Sequence, residues 1–189
     1  MRYRLLYLVP VVMLIMAGAA VGYTKIMARI GSGEPPASAP AEKQADRIIV
    51  SKNDKTMYLL RDDRILTSYR IAMGADWDQG HKQREGDERT PEGTYRIDWR
   101  NPNSVAHLSL HISYPNKDDA EQARRGGYDP GGNIMIHGLP NGWGAAGGLH
   151  RLMDWTDGCI AVTNDEMREI WSLTPDGTPI TIAAEWKEP

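Results

Sequence analysis

Between Arg47 and Gly74 the chain reads RIIVSKNDKTMYLLRDDRILTSYRIAMG, with apolar and polar residues alternating and the alternation broken at Lys52–Lys55 and at Arg61–Arg64. A period of two lines one face of a strand and leaves the other to solvent, so this stretch predicts three short strands joined by tight turns, an antiparallel meander. The same signature recurs in GTYRIDWR (Gly93 to Arg100), HLSLHISY (His107 to Tyr114), NIMIH (Asn133 to His137) and TPITIAAEW (Thr178 to Trp186), spaced by Gly, Pro, Asn and Asp. Two helices stand out after the N-terminal region. One is DDAEQARR, Asp118 to Arg125; the other is NDEMREIWSL, introduced by Thr163 with Glu166 three residues on, a capping-box signature. Strands dominate. The expected fold is mainly β, a sandwich or barrel-like sheet with a few peripheral helices at its rim.

The N-terminus sets the compartment. Arg2 and Arg4 precede LLYLVPVVMLIMAGAAVGY, Leu5 to Tyr23, a run without a charge. It is long enough to span a hydrocarbon core, and Lys25 and Arg29 flank its far end as they flank many spans. Its most apolar part, Leu5 to Met16, followed by Ala17-Gly18-Ala19-Ala20, fits a cleavable secretory signal equally. Both readings export the rest of the chain, and no cysteine follows closely enough to carry a lipid. The next stretch, Gly31 to Asp46, is rich in Pro, Ala and Ser and reads as a tether. Residues 1–23 are thus expected to be a signal peptide or membrane anchor, residues 24–45 a flexible linker giving location and reach only, and residues 46–185 one folded domain. With 22 Lys and Arg against 25 Asp and Glu, and no basic block, nucleic acid is not an expected partner. The chain has no Phe, so six Trp and eight Tyr supply its aromatic bulk, each with a polar atom to satisfy.

Cys159 is the only cysteine of the 189 residues. A lone thiol outside the cytoplasm risks oxidation, so it is either buried and inert or kept for its reactivity. Gly158 before it lets the backbone turn so that the amides of Gly158 and Cys159 can point at a developing oxyanion, as acyl transfer needs. A thiol also needs a base. His137 ends the apolar strand NIMIH and precedes Gly138, which places an imidazole where a site can open; a structural histidine at a sheet edge is the plain alternative. His150, in GGLHRLMDW, is a rival for the base. His81 lies in a charged loop. His107 and His111 fall on one face of a strand but ~13 Å apart, too far to share a metal ion, although His111 can face a cleft.

IHG at Ile136–Gly138 and TDGCIAV at Thr156–Val162 resemble the paired His-Gly and Ser/Thr-x-Gly-Cys motifs of the L,D-transpeptidase catalytic domain family. GDERTPEGTYRI (Gly86 to Ile97) is similar to the family's Gly-Asp and Thr-Pro-x-Gly-x-Tyr segment, and ISYPN (Ile112 to Asn116) to its Ser-Tyr-Pro-Asn stretch. The likeness runs in order from about Asp46 to Ala184, and the CIAVTN run resembles a murein-acting branch. The resemblance implies an L,D-transpeptidase-like catalytic domain over residues 46–185 acting on peptidoglycan stem peptides, in the periplasm or cell envelope, with residues 5–23 as the inner-membrane anchor and no cofactor or metal. Cys159 would be the nucleophile and form a thioester. His137 would be general base and acid, the backbone carbonyl of Gly138 would orient its ring, and the backbone at Gly158 would belong to the oxyanion hole. Tyr114, His111, Trp143, Thr156 and Arg151 are the expected substrate-binding residues, with Tyr114 equally readable as a core aromatic.

Two departures from the family pattern bear on activity. Many relatives carry Arg where Ala161 stands, a support that would have to come from elsewhere, such as Arg151; and Asp157 puts a carboxylate beside the sulfur, where it disfavours thiolate unless it points away or binds a cation. The glycine-rich LPNGWGAAGGLHRL, Leu139 to Leu152, is either a flap over the thioester or only a connection. Transfer to an amine is therefore expected alongside two alternatives: hydrolysis of the same bond type, including release of a murein-bound lipoprotein, and a wall-binding module without turnover.

Overall fold

The computed structural model describes residues 2–31 and 34–188, with the backbone alone for residues 2–8; Met1 of the expected signal and Ser32 and Gly33 of the expected linker lie outside the described residues. The meander forms as the alternation predicts: β1 (Arg47–Ser51), β2 (Thr56–Arg61) and β3 (Arg64–Arg70) pair antiparallel. Asp62 and Asp63 adopt φ of 50° and 59°, the left-handed pair that a tight hairpin turn requires and that Asp tolerates. β4 (Gly93–Asn101), β5 (Ser109–Ile112), β6 (Met135–His137), β7 (Ile160–Ala161) and β8 (Pro179–Ala183) complete one eight-stranded sheet in the order β3-β2-β1-β8-β4-β5-β6-β7. It is mixed: β8 enters parallel to β1 and antiparallel to β4, and β7 lies parallel to β6. The sheet curls as a half-barrel, with helices at its margin.

One face of this sheet and one side of α3 (Asn164–Leu173) enclose the core, in which Ile48, Val50, Leu59, Ile97, Leu110, Ile136 and Ile160 meet Met167, Ile170 and Trp171. Each such side chain contributes on the order of 1.5–3 kcal/mol by leaving water. α3 starts where the capping box predicts, with Thr163 Oγ1 accepting from Glu166 N and the Glu166 carboxylate accepting from Thr163 N. α2 (Lys117–Gly126) is capped the same way by Asn116 and Asp119, and Gly127 ends it in the left-handed region.

Two expectations change. His107 has φ of 62° in the turn before β5, so it does not share a strand face with His111. The tether expected over 24–45 is not loose along its whole length. α1 (Arg2–Met27) takes its first residues, and residues 34–45 lie along α3: Ala39 N donates to Ser172 O, Ala45 N to Leu173 O, and Ser172 Oγ to Ala37 O. Composition signals only that such a segment lacks a core of its own; backbone bonds to a helix already formed hold it down. β7 is a strand that the alternation does not predict, because two residues carry no period.

Candidate active site

Register brings the cysteine and histidine motifs together. β7 runs parallel to β6 with Ile136 opposite Ile160 and His137 opposite Ala161, so Cys159, just before β7, comes alongside Met135. His137 lies two residues further up β6, which puts the two Cα atoms ~8 Å apart, within reach of side chains that converge on one substrate. The thiol is fixed at this point: Met135 N–H donates to Cys159 Sγ (3.4 Å), and the thiol donates weakly to Asn133 O (3.6 Å).

His137 is buried, and its Nδ1 lies 2.6 Å from the carbonyl oxygen of Gly138. A carbonyl only accepts, so Nδ1 carries the proton and Nε2 keeps the lone pair that a base needs. Gly138 has no room for a side chain, because a Cβ there would lie 2.7 Å from Asn164 Oδ1 and 2.8 Å from His107 Cβ. Asn164 in turn accepts from Leu139 N (2.8 Å), so α3 holds the turn whose carbonyl orients the ring.

The turn carrying the nucleophile is equally constrained. Gly158 has φ of 116°, and a Cβ would stand 2.5 Å from Arg89 O. Thr156 Oγ1 donates to Cys159 O (2.7 Å) and accepts from Gly158 N (3.3 Å), so Thr156 braces the turn rather than facing substrate. Burial pushes the Cys159 thiol above its ordinary value; the Asp157 charge adds to this, while the Met135 N–H and the Lys82 ammonium oppose it. Burial likewise pushes the His137 imidazole below its ordinary value, against the Gly138 bond, which favours the charged ring. Both shifts favour neutral thiol and neutral imidazole over the ion pair.

The chain matches the L,D-transpeptidase catalytic domain over residues 45–182. It belongs to that family. YafK of Escherichia coli K12 is 32% identical over 114 residues, a match covering 58% of this chain and 37% of that protein, so the chain spans well under half of this relative. Among solved structures, Pgp2 of Campylobacter jejuni, a helical cell shape determining protein, superposes with a TM-score of 0.57 at 23% identity, covering 87% of this chain and 56% of that one. Bd1075 of Bdellovibrio bacteriovorus gives a TM-score of 0.52 at 22% identity, covering 82% and 53%. At these identities the two likenesses show a shared fold and nothing finer.

Within that fold the remaining candidates separate. Ala161 is fully buried and exchanges both backbone bonds with Ala72, so the position that carries Arg in many L,D-transpeptidases here faces the interior. Arg151 does not stand in for it, because it is ion-paired with Glu166 at the start of α3. Asp157 is exposed and borders a polar cavity of about 400 Å³ with Lys82, Glu88, Gly132 and Asn133, the last being the residue whose carbonyl meets the thiol. Tyr114 is a core aromatic: it is buried against Tyr95 and His81, with its hydroxyl donated to Pro130 O. His111 lies opposite Met135 on β5, but its ring is stacked on Trp99 and bonded to Asp98.

Two residues absent from the sequence reading matter here. Lys82 is buried and bonded to Asp87 and Arg84 O, yet its charge acts on the thiol. Trp155 touches His137 on one side and His150 on the other, with ring centroids 5.8 and 6.4 Å away. It lines, with Leu139, Trp143, His150 and Met153, an apolar cavity of about 350 Å³. Lys82 sits in a charged loop and Trp155 in an irregular one, so neither had a period or motif to reveal it. Among the described residues, no group of three or more His, Cys, Asp and Glu side chains gathers as a metal site.

Proposed function

We propose that this chain is a cysteine acyl transferase of peptidoglycan stem peptides. The carrying observation is the β6–β7 register, which brings Cys159 and a base-form His137 to neighbouring positions on adjacent strands. The Cys159 thiol attacks the carbonyl carbon of the donor peptide bond while His137 Nε2 takes its proton. A tetrahedral oxyanion forms and is met by the backbone amide of Cys159, because the Gly158 N–H is held by Thr156 Oγ1. Its collapse breaks the C–N bond, the proton passes from Nε2 to the leaving amine, and the acyl group remains as a thioester. An acceptor amine then gives its proton to the same nitrogen and takes the acyl group, restoring the thiol.

Residues 46–185 are the catalytic domain in this reading, outside the cytoplasm at the cell envelope, with α1 as the membrane anchor. The described span runs Val9–Met27, and none of it is buried against the protein. The decisive experiment incubates purified murein with the wild-type chain and with Cys159→Ala, followed by mass spectrometry of the digested muropeptides. New cross-linked or exchanged stem peptides that vanish in the variant support transfer. Unchanged murein with both would reject it in favour of a wall-binding module.

One observation favours hydrolysis as a second reading. Trp143, the aromatic expected to close over the thioester, is bonded instead to Thr24, which leaves less to exclude water. Shortened stem peptides as sole product despite excess acceptor, or release of lipoprotein from lipoprotein-bearing murein, would establish that reading instead.

A further inference from the structure

Four large apolar side chains stand in water on the loop that follows β6: Trp143 is 41% exposed, Leu149 69%, Leu152 81% and Met153 67%. A loop folded for a soluble surface does not gather such residues without something to cover them. The contacts of this loop with α1 identify the cover. Trp143 Nε1 donates to Thr24 Oγ1 (3.0 Å), Tyr23 Oη donates to Gly142 O (3.0 Å), and the Tyr23 and Trp143 rings meet edge to face with centroids 5.9 Å apart. A Cβ on Gly142 would lie 2.6 Å from Met27 Cγ, so glycine lets the helix come this close.

Depth follows from these bonds. The apolar span of α1 ends at Met27. Thr24 is one turn short of that end, ~4–5 Å inside it at the rise of a helix. A bilayer that covers the span therefore reaches the loop bonded to Thr24. Trp and Tyr are the residues that favour this level, where an apolar ring and a polar N–H or O–H are both accommodated. Lys25 and Arg29 at the same end suit anionic headgroups. The one charge within the exposed run, Arg151, is held by Glu166 rather than presented outward.

We propose that the face formed by Trp143, Leu149, Leu152 and Met153 is seated in the interface of the phospholipid bilayer that α1 crosses. This rests on reading α1 as a retained anchor. The seating gives the catalytic domain a fixed orientation instead of a free tether. It also makes lipid one wall of the apolar cavity that Trp155 separates from His137, so the site works on peptides held close to the membrane.

The test uses the full chain with Cys159→Ser and a single new cysteine, at Leu152→Cys or, on the far edge strand, at Arg64→Cys. Each carries an environment-sensitive fluorophore in phosphatidylcholine/phosphatidylglycerol vesicles containing acyl-chain nitroxide lipids. Resistance to carbonate extraction reports α1, and quenching reports the loop. The expected result is a resistant chain whose label at 152 is quenched at least several-fold more than that at 64, with the difference reduced by adding L149S and M153S while resistance persists. A resistant chain with a water-exposed, unquenched label at 152 overturns the seating alone. Shielding at 152 that depends on the protein-to-lipid ratio, without nitroxide quenching, assigns the face to a second copy and also overturns it. Extraction by carbonate overturns the anchor and the seating together.

Discussion

His137 Nδ1 donates to the carbonyl of the next residue, Gly138, at 2.6 Å, and that bond alone selects the tautomer with a bare Nε2. The carbonyl can point there because residue 138 has no side chain: Asn164 and His107 fill the space a Cβ would need. Gly138→Ala must displace one of them and rotate the carbonyl. We expect kcat to fall at least ~100-fold, comparable with other orientation losses, while circular dichroism and the melting transition report a folded chain. His137→Ala should lose turnover entirely; activity retained by His137→Ala and lost by His150→Ala would move the base to His150.

The pH profile follows from the two opposed shifts. A base works only unprotonated, and His137 is pushed below its ordinary value, so the acid limb of kcat/KM should lie below pH 6.5 rather than at it. The thiol is pushed up, so thiolate does not form by itself near neutrality and the proton leaves during attack. Iodoacetamide labelling of Cys159 in the wild-type chain should therefore be slow at pH 6 and rise with pH into the alkaline range. An acid limb above 6.5 would contradict the lowered His137, and rapid labelling of the wild-type chain at pH 6 would indicate a preformed thiolate–imidazolium pair instead.

Gly158 and Gly177 separate backbone strain from collision. Both have positive φ, 116° and 89°, but a Cβ at 158 would stand 2.5 Å from Arg89 O, whereas at 177 it meets nothing within 4 Å. Gly177→Ala should cost only the conformational term, about 1 kcal/mol. Gly158→Ala adds displacement of the segment around Arg89, and with it the Cys159 amide, so activity should be lost and stability should fall by about 2–4 kcal/mol in urea unfolding. Equal losses for the two variants would mean that the nucleophile turn is free to move.

The parts that could be read in advance were those with a local cause. The β1–β3 meander followed from alternation, α3 from Thr163 and Glu166, and the two site motifs from glycines adjoining a thiol and an imidazole. The rest depends on partners distant in sequence. Nothing in the neighbourhood of Lys82 points to Cys159, and nothing in ISYPN indicates that Tyr114 turns inward to bond Pro130. Arg151 reads as a substrate contact because Ala161 leaves a missing Arg to be replaced; its true partner, Glu166, is assigned by the capping box alone, yet a carboxylate has lone pairs for both and here accepts from both.

The stretch before Asp46 shows the same limit and yields the last prediction. Its Pro- and Ala-rich composition suggested that a chain beginning at Asp46 would lack nothing. Yet Ala45 is buried in the core, Ala39 and Ala45 bond to the last turn of α3, and the Arg61 guanidinium donates to the carbonyls of Ala41 and Gln44. At roughly 0.5–1.5 kcal/mol for each shielded bond, removal should cost about 2–3 kcal/mol, largely at α3, which also carries Asn164 beneath the His137 turn. A chain beginning at Glu34 should keep the full stability of the domain. One beginning at Asp46 should melt roughly 5–10 °C lower and show faster amide exchange in α3. Identical melting of the two would show that residues 34–45 do no more than follow the surface of α3.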